Sequence, residues 1–182
     1  REDQDVVVGP TSVGRWGYAC SKLLDEFLAL AYHKEMGLPV VVLRLFNTVG
    51  PRQSGRYGMV MPRFVGQALK NKPITVYGNG GQSRCFTYVD DVVAAAIEIA
   101  QVSEAEGQVF NVGSSHETTI NQLASMVKET LNSRSEIQHL PYAERYSEDF
   151  QDIRRRVPDI SKIQQFVNFQ PIADLPWIIS QV

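Results

Sequence analysis

Tyr18 and Lys22 stand four residues apart in the run Tyr-Ala-Cys-Ser-Lys. On a helix that spacing puts both side chains on one face, one turn apart. The pair is a candidate proton-transfer device, because an ammonium beside a phenol favours the phenolate and makes a usable base of a weak acid. The residues that follow support a helix. Leu23, Leu24, Phe27, Leu28, Leu30, Ala31 and Tyr32 recur at helical spacing as an apolar face, and Gly37 followed by Pro39 supplies a stop. A tyrosine and a lysine fall at this spacing often by chance, so the pair needs a context before it defines a site.

That context begins with the elements around it. Val40 to Phe46 is a short apolar run rich in β-branched residues and reads as a strand buried on both faces. A helix feeding such a strand through a short turn is half of a βαβ unit, which predicts an α/β fold with a parallel sheet. A Gly/Pro-rich loop, Asn47 to Gly58, comes next. The pattern then predicts a helix over 60–70, a strand over 74–77, a glycine turn at Gly78 to Gly81 and a strand over 85–89. Asp90 or Asp91 is placed to cap a largely apolar helix over 92–102. A strand over 109–112 follows, then an amphipathic helix over 120–131 opened by Thr118 or Thr119, and the remainder reads as loop as far as Pro158.

Composition narrows the class. With 182 residues, 43% of them apolar, the chain can bury a substantial core. A net charge of −2, from 18 basic and 20 acidic residues, argues against a nucleic-acid surface. Two cysteines, Cys20 and Cys85, lack Cys-x-x-Cys spacing and suggest neither a disulfide framework nor a zinc site, which fits a cytoplasmic protein. No apolar run approaches the roughly 18 residues of a membrane span. The polar start at Arg1 reads as mid-protein sequence, so the expectation is a fragment.

Other motifs carry less. The glycine cluster after Tyr77 lacks Gly-x-Gly-x-x-Gly spacing and reads as a turn. His116-Glu117 has no second histidine at the interval a zinc protease needs, and the three histidines are scattered, so no metal site is expected. Arg52, Arg63, Arg84 and Arg156 lie in or beside loops, where forked guanidinium donors can clamp phosphate or simply meet solvent.

Taken in order, several blocks resemble the extended short-chain dehydrogenase/reductase family, and within it the NAD-dependent nucleotide-sugar epimerases, dehydratases and decarboxylases. They are Tyr18-x-x-x-Lys22, Arg44-Leu-Phe-Asn-Thr-Val-Gly-Pro-Arg52, Pro62-Arg63-Phe64, Ile74-Thr-Val-Tyr-Gly78, Gln82-Ser-Arg-Cys-Phe-Thr-Tyr-Val-Asp-Asp91, Phe110-Asn-Val-Gly113 and Arg156-Val-Pro-Asp-Ile-Ser-Lys162. The resemblance implies the C-terminal portion of a Rossmann-type parallel sheet with a smaller α+β substrate-binding domain. Residues 1–50 and 86–113 would belong to the NAD-binding sheet, and residues 51–85 and 114–182 to the nucleotide-sugar domain.

The same resemblance implies roles. Tyr18 would be the general base on a sugar hydroxyl, and Lys22 would support it and bind the nicotinamide ribose. Phe46 and Thr48 would border the cofactor, and Asn47, Arg84 and Arg156 the sugar diphosphate. Arg63 would join the substrate side, Val76 and Tyr77 would run along the base, and Thr11, Ser12, Arg15 and Trp16 would line the sugar pocket. The activity implied is UDP-glucose/UDP-galactose 4-epimerisation through a transient 4-keto sugar. The alternatives are UDP-glucuronate decarboxylation, dTDP-glucose dehydration and, from another class, a nucleotide-binding module without turnover. The partner is a UDP-sugar, and the parent is expected to be a homodimer. The family's opening strand, glycine-rich phosphate turn, ribose-binding acidic residue and catalytic Ser or Thr have no counterpart here, so the 182-residue chain alone is expected neither to bind NAD tightly nor to turn over.

Overall fold

The computed structural model describes residues 1–55, 59–144 and 153–182. The last three residues of the predicted 47–58 loop and part of the loop before Pro158 lie outside them. The long helix α1, Arg15–Met36, ends where Gly37 takes a left-handed φ of 67° and returns its N–H to the His33 carbonyl, a conformation open to glycine at little cost. The chain then enters β1, Val41–Leu45, which runs parallel to β6, Gln108–Val112, with Val41 opposite Gln108 and Leu45 opposite Val112. The expected α/β character and parallel pairing are both present.

Between these strands lie β2, Thr48–Val49, α2, Val60–Ala68, β3, Ile74–Tyr77, β4, Ser83–Cys85, β5, Thr87–Tyr88, and α3, Val89–Ile99. After β6 come β7, Glu117–Thr119, α4, Ile120–Thr130, β8, Ile137–Leu140, β9, Arg155–Arg156, and α5, Leu175–Gln181. β2 pairs parallel with β5, β3 parallel with β8, and β4 is flanked by antiparallel β7 and parallel β9. The strand expected over 85–89 is thus two short strands broken at Phe86, and Asp90 and Asp91 sit in the first turn of α3 rather than ahead of it.

Two cores result. One gathers α2, β3, α4 and α5 around Met61, Phe64, Ile74, Leu123, Val127 and Ile178, all at 1% exposure or less. Thr119 opens α4 with a reciprocal capping box to Gln122, satisfying two otherwise orphaned N–H groups. The other gathers Val92, Ala95 and Ile99 of α3 with Phe110 and Val112 of β6 and with Ile160, Ile163 and Phe169. α1 contributes no fully buried residue. Its half-buried stripe is Ala19, Leu23, Glu26, Leu30 and His33, while Leu24, Phe27, Leu28 and Tyr32 of the predicted apolar face are exposed. Among the described residues β1 pairs on one side only, so the helix lies beside an open sheet edge. No helix among the described residues is long and apolar enough to cross a membrane.

Candidate functional site

Tyr18 occupies the first turn of α1, 73% exposed, and Lys22 follows one turn later with its Nζ 6.0 Å from the centre of the phenol ring. The helix has therefore put both groups on one face. The lysine ammonium, however, donates to Asp25 Oδ2 at 2.6 Å. That bond, then the charge of Asp25, raise the lysine pKa above its ordinary value, with a smaller contribution from Tyr18.

Beneath this face, Glu26 takes a two-pronged ion pair from Arg44, Nε to Oε1 at 2.8 Å and Nη2 to Oε2 at 2.7 Å. Both side chains are about three-quarters or more buried. Arg44 is the charged residue in the middle of an apolar strand, and such a charge requires a partner. A charged residue inside an apolar strand is a sequence signal that a partner exists, but it does not say which one. The bond fastens α1 to β1.

The strand ends at Phe46, whose N–H returns to the Val112 carbonyl at 3.0 Å. Asn47 then adopts a φ of 39°, a left-handed value that asparagine tolerates better than other non-glycine residues and that its surroundings must hold. Three tethers do so here. Its carbonyl accepts from the Thr87 N–H at 3.2 Å, its Nδ2 donates to the Cys85 carbonyl at 2.7 Å, and its Oδ1 accepts from Arg156 Nη2. Thr48 continues into β2, and Gln53 donates to its carbonyl.

A cavity of about 640 Å³ brings together Tyr18, Lys22, Asp25, Glu26, Phe46 and Arg156 along β1 from Val41 to Leu45. It runs beside the edge of that strand that is unpaired among the described residues, so it is bounded by backbone able to accept a further strand as well as by side chains able to hold a ligand. Arg84 is the cross-strand partner of Arg156 between β4 and β9 and donates to the carbonyls of Ser83 and Ile153 at 2.6 and 2.7 Å. The two predicted arginines are thus neighbours despite their separation in sequence.

The other predicted residues lie elsewhere. Arg63 on α2 donates to the carbonyl and hydroxyl of Thr75 at 3.0 and 2.9 Å and stacks 4.7 Å from the Tyr77 ring centre. Val76 is fully buried in the first core, so any contact of that segment with a base is through main chain or Tyr77, not through the valine side chain. Thr11 is exposed ahead of α1, and Arg15 lies over the Trp16 ring at 5.6 Å. Neither borders the cavity. The charged residues with no predicted role that the structure adds to it are Asp25, Glu26 and Arg44.

A parallel α/β half-sheet with a tyrosine and lysine on the helix preceding β1 defines a class, and comparison with known proteins agrees. Residues 2–113 match the model of the NAD dependent epimerase/dehydratase family. The chain belongs to that family. It is 42% identical over 171 residues, 93% of this chain and 53% of the relative, to a UDP-N-acetyl-alpha-D-glucosaminuronate decarboxylase of Bacillus cytotoxicus. It is 36% identical over 94% of its length to 41% of UDP-glucuronic acid decarboxylase 1 of Danio rerio. Among solved structures, UDP-glucuronic acid 4-epimerase from Bacillus cereus in complex with NAD matches with a TM-score of 0.80 at 28% identity, covering 98% of this chain and 53% of that one. The chain spans about half the length of the curated relatives it matches.

Proposed function

We propose that this chain is the catalytic-helix and substrate-binding half of an NAD-dependent enzyme that oxidises a UDP-sugar at C4, and that the sugar is a uronate that is then decarboxylated. The observation that carries the reading is the cavity shared by Tyr18, Lys22 and Arg156. The relatives described above support the decarboxylating step.

The donor set fits the cofactor. Lys22 offers a cation with three N–H groups and Tyr18 a phenol, side by side, to a ribose diol and a reacting hydroxyl. NAD, when bound, supplies the hydride acceptor. Tyr18 takes the C4 hydroxyl proton, and the Lys22 ammonium stabilises the phenolate that must do so. A ketone at C4 makes the C6 carboxylate a β-keto acid. Its C5–C6 bond then breaks with the electron pair moving towards the C4 oxygen, carbon dioxide leaves, and a proton returns to C5. The Arg156 guanidinium, held by Asn47, supplies fixed positive charge for the carboxylate or for the developing enolate. Arg84 beside it takes the diphosphate. Under this reading residues 1–50 and 86–113 form the cofactor side and the remainder the substrate side. The exposed Leu24, Phe27, Leu28 and Tyr32 on α1 suit a homodimer contact.

A second reading, 4-epimerisation, is favoured by the likeness to the Bacillus cereus epimerase. The full-length protein with NAD and a panel of UDP-glucuronate, its N-acetylated analogue and UDP-glucose decides between them. Loss of carbon dioxide by mass is expected. A product of unchanged mass with a new sugar selects epimerisation. Tyr18→Phe should lower turnover by about 100-fold or more while UDP-sugar binding persists, and full turnover in that variant would sink the assigned base.

A further inference from the structure

Lys22 has two anionic or potentially anionic neighbours on its own helix, Tyr18 one turn before it and Asp25 three residues after. The ammonium sits on the carboxylate, at 2.6 Å, and stands off the phenol, 6.0 Å from its ring centre. The other charged groups of the cavity are committed elsewhere: Glu26 to Arg44 in a largely buried ion pair, and Arg156 to Asn47. Asp25 is therefore the carboxylate that competes for the lysine.

We propose that Asp25 is a positioning residue for the Tyr18–Lys22 pair: it holds the lysine ammonium off the phenol until the cofactor's ribose hydroxyls take the ammonium over. This rests on the functional reading above. The side chains of Lys22 and Asp25 are 57% and 61% exposed, and an ion pair so wetted is worth little. It is strong enough to bias where a flexible lysine points and weak enough to yield to a ligand. The geometry allows the exchange, since Tyr18 and Asp25 lie within a turn of Lys22 on either side, and a four-carbon stem reaches both.

The test compares Asp25→Asn and Asp25→Glu with wild type in the full-length protein. Lysine-selective NMR reads the Lys22 titration, and calorimetry reads NAD affinity. Asp25→Asn should lower the Lys22 titration midpoint and tighten NAD about two- to fivefold, because no ion pair has to open. Asp25→Glu should restore wild-type behaviour in both. An unchanged lysine titration in Asp25→Asn overturns the proposal, and so does weaker NAD binding, which would make the carboxylate a holder of the working pose. If no UDP-sugar is turned over, the functional reading fails, but the lysine titration still decides the role of Asp25.

Discussion

The two halves of the molecule bury their helices to different degrees. α4, 11 residues long, places Ile120, Leu123, Ala124 and Val127 in a closed core, whereas α1, twice that length, buries none of its 22 residues fully. The α2/β3/α4/α5 unit closes around a core of its own. The unit that carries Tyr18 and Lys22 leaves one face of α1 exposed and, among the described residues, one edge of β1 unpaired. A polar contact, the Glu26–Arg44 pair, fastens α1 to the strand below it. A unit closed around its own apolar core and one pinned by an ion pair should respond differently to substitution.

The largest expected effect lies in the closed core. Leu123 is fully buried, and Leu123→Ala should cost about 3 kcal/mol through lost transfer energy and the cavity left behind. Phe27 on α1 is 65% exposed in the single chain, and in the monomer Phe27→Ala should stay within about 0.5 kcal/mol. Urea denaturation of the 182-residue chain checks both. A Phe27→Ala cost near that of Leu123→Ala would show that the helix face is covered and abolish the contrast. Next in size is Arg44→Ala, which strands the Glu26 carboxylate beneath α1 and should cost about 2 kcal/mol. Amide exchange should show the loss in α1 first. Uniform loss across α2 and α4 would mean that the ion pair does not act locally.

The elements legible in the sequence were those whose signals are local. β3 was predicted with its observed ends, and α4 and its Thr119 cap were written in the Thr-x-x-Gln pattern and the apolar period. β8 and β9 were read as loop because their pairing is wholly non-local: two residues, Arg155 and Arg156, become a strand only because β4 lies beside them. α5 had a usable signal that was passed over, an Asp174 cap with proline in the first turn. On the site, spacing placed Tyr18 and Lys22 on one helix face, but not which partner the lysine prefers. Asp25 at three residues and Tyr18 at four are both about one turn away, and the side-chain geometry separates them. The outer face of α1 was misjudged because hydrophobic periodicity reports which residues want cover, not which side the sheet occupies.

The smallest effect contrasts the two thiols, one in each half. Cys20 on α1 is exposed, and Cys85 on β4 is buried. Burial, aided by the Glu117 charge, pushes the Cys85 thiol up to about 11, so at neutral pH it is protonated as well as screened, and thiolate is the reactive form. Iodoacetamide at pH 8 should therefore modify Cys20 and spare Cys85 until the chain unfolds. Because Cys20 lies on the exposed face, its modification should shift stability by less than about 0.5 kcal/mol. The direction of the Cys85 shift adds a pH dependence. Its folded value lies above its unfolded one, so the stability it confers is fully present below about 9 and lost as pH rises towards 11. Rapid labelling of Cys85 in the native chain at pH 8 would mean that the β4 core opens as readily as the surface of α1, and the division between a closed and an open half would not hold.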